Sequence, residues 1–408
     1  MVPTALPRDV LATIVDAGPF RRHELCAISL VSPHLRHEAQ RRLFRDPGPH
    51  SINVLSGTDS ESLTTTRMFL EAVASSPDVL APMVRRYRIA ISWFNFHARF
   101  DREQRQLQHT LFNCISRALP LMVNLKELRY HETLELATQP VSGPPPSIWP
   151  VLKRCSFRLQ TFRCSYIGTS SRSALAIFLR SQSDIKELWL NEAPQAQAIN
   201  TIALLQNVFK DVCPSLVSLG CMAEIVASML PGRHNLKHIS WEQNNFATVV
   251  KYNADLVAST NISNVELFES LRCGPPLSLV CDLFTNLVVL KTCERDILKK
   301  LRGLPRLRVL IGDLEGGLGI PRSLANEGKV IRQAFTHIPS LDCLECHRQY
   351  GIERGRKYII DRDTKVVTIY TIPRVAHLAN AEGREELLRK LFVQVDGDHI
   401  FERSFNGD

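Results

Sequence analysis

No stretch of this 408-residue sequence approaches the roughly 20 consecutive apolar residues that cross a bilayer. The opening residues, Met1 to Leu11, carry Pro3, Pro7, Arg8 and Asp9 where a signal peptide needs an apolar segment. Neither secretion nor a membrane partner is expected. Charge of one sign is scarce too: 50 basic residues face 41 acidic ones, a net +9 spread along the whole chain. The basic pairs Arg21-Arg22, Arg41-Arg42, Arg85-Arg86 and Lys299-Lys300 are short and far apart. They read as solvated faces, because nucleic-acid binders concentrate charge on one surface and interleave aromatics. No nucleic-acid partner is expected. The 11 cysteines are odd in number and scattered, the usage of reduced thiols in a cytoplasmic or nuclear protein.

Motifs of enzymes are equally sparse. No G-x-S-x-G elbow and no H-E-x-x-H pair occurs. The glycine-rich run Gly312 to Gly319 lacks the closing Lys-Ser/Thr of a phosphate loop and reads as a flexible connection. Cys343-Leu344-Glu345-Cys346-His347 is a literal C-x-x-C-H, a spacing that can attach haem. Attachment belongs to export or organelle pathways, and the tract overlaps a repeated strand pattern in which Leu341, Leu344 and Cys346 fit inward positions. Zinc at the same CxxC needs a second ligand pair at finger-like spacing, which is missing. The expectation is a non-enzyme with no cofactor and no metal. A metal- or haem-binding enzyme is the remote alternative.

The composition that remains, 44% hydrophobic and 22% charged residues, is that of a folded globular chain. Its length suits two or three domains or a repeat array. Residues 6–46 predict three short helices. Pro7 suits the first helical position, Val10, Leu11, Ile14 and Val15 recur at helical spacing, and Gly18-Pro19 ends the run. A second helix begins near Arg22 and carries Leu25, Ile28 and Leu30-Val31. Ser32 is the candidate N-cap of a third, with Pro33 at its first position and Leu35, Ala39 and Leu43 about one turn apart. So small a bundle shows more apolar side chains than it can bury. A partner surface is where the surplus would go.

Three tracts of this module, Leu6-Pro7-Arg8-Asp9-Val10-Leu11, then Ser29-Leu30-Val31-Ser32, then Arg42-Leu43-Phe44, stand in the order found in an F-box, and the module resembles one. The resemblance implies docking on the Skp-type adaptor subunit of an SCF-type cullin–RING ubiquitin ligase. It makes Leu6, Pro7, Val10, Ile14, Leu25, Ile28, Val31, Leu35 and Leu43 candidate contacts. Two departures stand out: Leu35 occupies a position where many F-boxes have Trp, and Gly18-Pro19 interrupts a helix end that is more usually apolar.

Beyond the module one theme recurs: Asn124 to Leu128, Asp184 to Leu188, Ser215 to Leu219, Asn235 to Ile239, Asn286 to Leu290, Arg306 to Leu310 and Ser340 to Leu344, with weaker copies at Arg158 to Phe162 and Asn264 to Leu267. Spacings of roughly 20 to 35 residues border the leucine-rich-repeat range. Amphipathic helices are predicted at Gln104 to Leu119, Ser173 to Arg180, Ile199 to Val212 and Ala325 to Phe335. A Pro often precedes the theme, predicting an extended entry. Leucines would face a shared core while Lys126, Glu127, Lys186 and Glu187 face outward. Trp189 and Trp241 lie on or beside these strands, as core residues in preference to recognition anchors. The copies lack the laddering Asn of regular repeats, so the pattern resembles the degenerate leucine-rich-repeat-like region of fungal F-box proteins.

The expected fold is therefore α/β: a three-helix F-box (residues 1–46), then an irregular leucine-rich-repeat-like solenoid of parallel strands and helices (47–350). A β-hairpin about Asp361 to Thr364 and a helix at Glu382 to Phe392 (351–408) would cap it. Thr138 to Pro150 is expected to be a loop. The function implied by the resemblance is substrate recognition for the ligase, with an unidentified protein as target. A scaffold that binds the adaptor without a degradation target fits the same residues.

Overall fold

The computed structural model describes residues 6–53, 60–93, 101–134, 148–165, 172–191, 209, 211–222, 225–226, 229–230, 232–242, 264–271, 277–292, 298, 300–313, 324–347, 355–361 and 367–372. The expected helix at 382–392, most of the expected helix at 199–212 and most of the expected loop at 138–150 lie outside these. The fold is α/β with open, mostly parallel sheet. Two compact units divide the chain, Met1–Gln195 with Asn207–Leu216, and Ala196–Gln206 with Val217–Asp408.

Unit 1 opens with α1 (Arg8–Ala17), α2 (Arg22–Ile28) and α3 (Pro33–Arg45). Ser32 caps α3 by accepting a hydrogen bond from the Leu35 amide at 3.2 Å, with Pro33 just inside the helix. Val15, Leu25 and Ala39 form a small core, against which Phe20, Ile28, Leu35 and Leu43 pack half-buried. Arginines bind the helices to one another. Arg42 donates to the carbonyls of Val15 and Gly18, satisfying the end of α1, and Arg41 pairs with Asp16 and the buried Glu38 at 2.6 and 2.7 Å.

The strands β1 (Pro49–Asn53), β2 (Arg86–Trp93), β3 (Glu127–Leu134), β4 (Thr161–Ser165) and β5 (Glu187–Asn191) pair in chain order, all parallel. Between them run α4 (Ser60–Ser75), α5 (Asp101–Ala118), α6 (Trp149–Leu152) and α7 (Arg172–Arg180). Alternation decides the faces. Tyr87, Ile89, Leu128, Tyr130, Phe162, Cys164, Leu188 and Leu190 are buried on the inner one, and Phe162 meets Phe178 of α7 edge-on. The helical module is tied to this body: Phe44 stacks on Phe69 of α4, which stacks on Tyr87 of β2. The turn between them needs glycine, since Gly48 has φ +83° and a Cβ there would stand 2.9 Å from the Arg22 guanidinium.

In unit 2, β6 (Ser218–Met222), β7 (His238–Glu242), β8 (Leu267–Leu271), β9 (Val289–Thr292), β10 (Val309–Asp313) and β11 (Cys343–His347) are parallel, in chain order. The antiparallel β12 (Gly355–Ile360) and β13 (Val367–Ile372) follow. Helices α8 (Leu277–Leu283) and α9 (Leu324–His337) precede β9 and β11.

Every copy of the sequence theme leads into a strand, but the entry is not extended as expected. The first Leu amide bonds the carbonyl three residues back, as in Leu125 to Met122, Leu307 to Leu304 and Leu341 to Ile338 (2.9, 3.3 and 2.9 Å). This closes a turn. Pro214, Pro305 and Pro339 sit at its second residue because the fixed proline φ fits there, and Cys213 before Pro214 takes φ +51°.

Two successive amides then grip one carbonyl of the preceding strand's entry. Lys126 and Glu127 bond Arg85 O, Gln160 and Thr161 bond Lys126 O, and Lys186 and Glu187 bond Gln160 O. In unit 2 the chain of clamps runs Val217, Lys237, Glu266, Val288, Arg308. Its first link in unit 1 is the Arg85 amide on the carbonyl of Arg45, the last residue of α3.

Candidate docking surface and the outer strand face

The nine residues singled out in the helical module separate into three groups. Leu6, Val10, Ile14 and Val31 are exposed at 56, 38, 47 and 70%, and Pro7 is exposed beside them. Ile28, Leu35 and Leu43 are half-buried against the module's core. Leu25 is inside that core, so it supports the surface without forming it. Leu30, at 78% the most exposed of the large apolar side chains here, was not among the nine. Its signal was the Ser29-Leu30-Val31-Ser32 tract: the second helix, expected to carry Leu30-Val31, ends at Ile28 and leaves both in a turn that cannot bury them.

A second surface was not foreseen from sequence. Register places Arg88 of β2 beside Arg129 of β3, Arg129 beside Arg163 of β4, and Arg163 beside Trp189 of β5. All four lie on the outer face, because each follows an inward residue. The Arg163 guanidinium stands over the Trp189 ring, 5.0 Å from its centroid. Carboxylates line the strand-entry side. Glu127 lies 2.6 Å from Nε of Arg129 and 3.6 Å from Nε of Arg88 and of Arg86. Asp46, just past α3, reaches Arg88 and Arg86 at 3.4 and 3.5 Å, and Glu187 reaches Arg163 at 3.5 Å. Burial, with Arg129 close by, holds the Arg163 guanidinium below its ordinary pKa despite Glu187 and Glu127. Arg86, expected to be a solvated charge, is part of this network. Glu127, expected to face outward, does so in ion pairs.

Other expectations resolve more simply. Trp241 is fully buried against Phe268, and Trp189 is buried under Arg163. Cys343 packs with Leu267, Val289, Val309 and Ile311 on the outer face of unit 2, while Leu341 and Leu344 are buried inward. The side chains of Cys346 and His347 are outside the described residues. Among the described residues no group of three or more His, Cys, Asp or Glu side chains is placed to hold a metal ion, and no helix is long and apolar enough to cross a membrane. His238 bridges strands, its Nδ1 2.9 Å from Ser218 Oγ and its Nε2 3.8 Å from Glu269 Oε2. This Ser–His–Glu order lies within a strand face where Ser218 and Glu269 are both buried, and it serves to pair polar atoms there.

No family model matches the chain, and no curated protein matches it in sequence.

Proposed function

We propose that the chain is an F-box protein, the substrate-recognition subunit of an SCF-type cullin–RING ubiquitin ligase. The helical module docks on the ligase's Skp-type adaptor, and the degenerate leucine-rich-repeat-like strand array holds a target protein. The observation that carries this reading is the set of exposed aliphatic side chains on a module that already has its own core. Each is already partly buried, so covering it contributes roughly 1–2 kcal/mol, and together they can offset the cost of association. Ubiquitin transfer happens on other subunits. This chain contributes proximity, raising the effective concentration of target lysines near the charged conjugating enzyme.

The test is adaptor capture by the full chain and by its Leu6→Asp, Ile14→Asp double variant. Both positions are exposed, so thermal unfolding stays unchanged. Two lost burials weaken capture by about a hundredfold or more. Undiminished capture by the variant would refute the docking assignment.

A further inference from the structure

We infer that the turn between α2 and α3 anchors the helical module on the ligase adaptor. Leu30 and Val31 carry most of the contact, and Arg36 is the positioning residue that holds them ready. This rests on the docking reading above and deepens it, by assigning the weight within that surface to particular side chains.

Two observations point to the turn. The first is uncovered area. Leu30 and Val31 are 78 and 70% exposed, against 56% for Leu6, 47% for Ile14 and 38% for Val10. What a partner adds follows the apolar area still to be removed from water, and the two turn residues have the most left to cover.

The second is the backbone beneath them. The Leu30 and Val31 amides donate to the carbonyls of Ala27 and Ile28 at 3.0 and 3.1 Å. At one end of the turn Ser29 Oγ donates to Cys26 O at 2.6 Å, and at the other the Ser32 hydroxyl accepts from the Leu35 amide. Arg36 spans the pair. From near the start of α3 its Nε donates to Ser29 O at 3.1 Å, tying the end of α2 to the helix that follows. The entry of α1 has no such bracing: the helix starts at Arg8 after Pro7 without a side-chain cap, and Leu6 lies ahead of it. A side chain on a backbone that is already fixed loses less freedom on binding. The largest uncovered area and the smallest ordering cost therefore coincide at Leu30 and Val31, the combination that makes a few residues dominate an interface.

Contact and bracing leave different kinetic marks. A lost contact speeds dissociation. A lost brace lowers the fraction of molecules competent to bind, which slows association.

The test measures both rate constants by surface plasmon resonance, with the full chain immobilised and a Skp-type adaptor in solution. Leu30→Ala weakens binding about tenfold or more through faster dissociation, while Val10→Ala weakens it only a few-fold. Arg36→Met and Ser29→Ala each slow association about two- to fivefold and leave dissociation unchanged. Ser29→Ala removes no charge, which separates loss of the brace from loss of electrostatic attraction, and Arg36→Lys, which keeps a donor, recovers association. Leu30 and Arg36 are exposed, so thermal unfolding of their variants is unchanged. Leu30→Ala binding no more weakly than Val10→Ala overturns the anchor and leaves the docking reading standing. Faster dissociation of Arg36→Met makes Arg36 a contact and overturns its positioning role. An unaltered chain that does not bind the adaptor removes the docking reading, and the anchor with it.

Discussion

The outer strand faces of the two units differ although their inner faces are built alike. In unit 1 the row two residues into each strand reads Arg88, Arg129, Arg163, Trp189. In unit 2 Leu267, Val289, Val309, Cys343 and Ile359 lie opposite one another, and Ile311 packs with them as a buried aliphatic stripe. Both faces are carried by the same turn and the same backbone clamps. Side-chain alternation lets one face be reassigned without disturbing the other, so a single backbone plan supports a polar surface in one place and a dry one elsewhere.

The contrast is open to perturbation. The largest effect is expected from Ile311→Asp, which puts an uncompensated carboxylate into the dry stripe and costs roughly 3–5 kcal/mol. A large fall in the urea midpoint of unit 2 would register it, and no fall would mean the stripe is wet. Next comes the titration of His50, which lies against Phe69 and Tyr87 in unit 1. Burial, with help from Arg22, lowers its pKa from 6.5 to about 4. The unfolded chain therefore takes up the proton first. The stabilisation is complete above pH 6.5, and it is lost as pH falls from 6.5 to about 4. It amounts to something on the order of 2–3 kcal/mol. Unfolding midpoints at pH 7 and pH 5 measure it, and His50→Phe flattens the difference.

A smaller shift separates the helical module from the strands that share its unit. Ser32→Ala removes the cap of α3 and costs about 1 kcal/mol, visible as earlier loss of protection in α3 amide exchange with unit 2 unchanged. The smallest is Arg163→Met. Its ion pair with the partly exposed Glu187 is long, at 3.5 Å, so replacing the guanidinium by an aliphatic chain of similar length changes stability by less than about 1 kcal/mol. A drop of several kcal/mol would mean the row is structural.

Much of the architecture could be read from the residues alone, because it rests on periodicity. Ser32-Pro33 announces the start of α3, Leu125 and Leu128 announce β3, and the alternation of Lys357 to Ile360 announces β12. The turn into each strand was misread, since a Pro before an extended run also fits the second residue of a turn, and only the Leu amide's partner distinguishes the two. The exposed apolar positions of the helical module were recognisable, yet Leu25 and Val31 looked equivalent in sequence. Which of them faces inward depends on how α2 lies on α1 and α3, a tertiary matter. The arginine row was missed because its members are some 34 to 41 residues apart. Aligning the theme copies at their second inward residue, Leu128, Phe162 and Leu188, puts Arg129, Arg163 and Trp189 in one column, but a row is chemically meaningful only once the strands are known to be adjacent.

The clamps at the strand entries have a consequence for how such a chain can change over time. They are made from amides and carbonyls, which every residue except proline supplies in full, so they place almost no demand on side-chain identity. Substitutions can accumulate and connecting segments can lengthen while neighbouring strands stay in step. An architecture held in this way can persist long after its repeats have ceased to look like copies of one another.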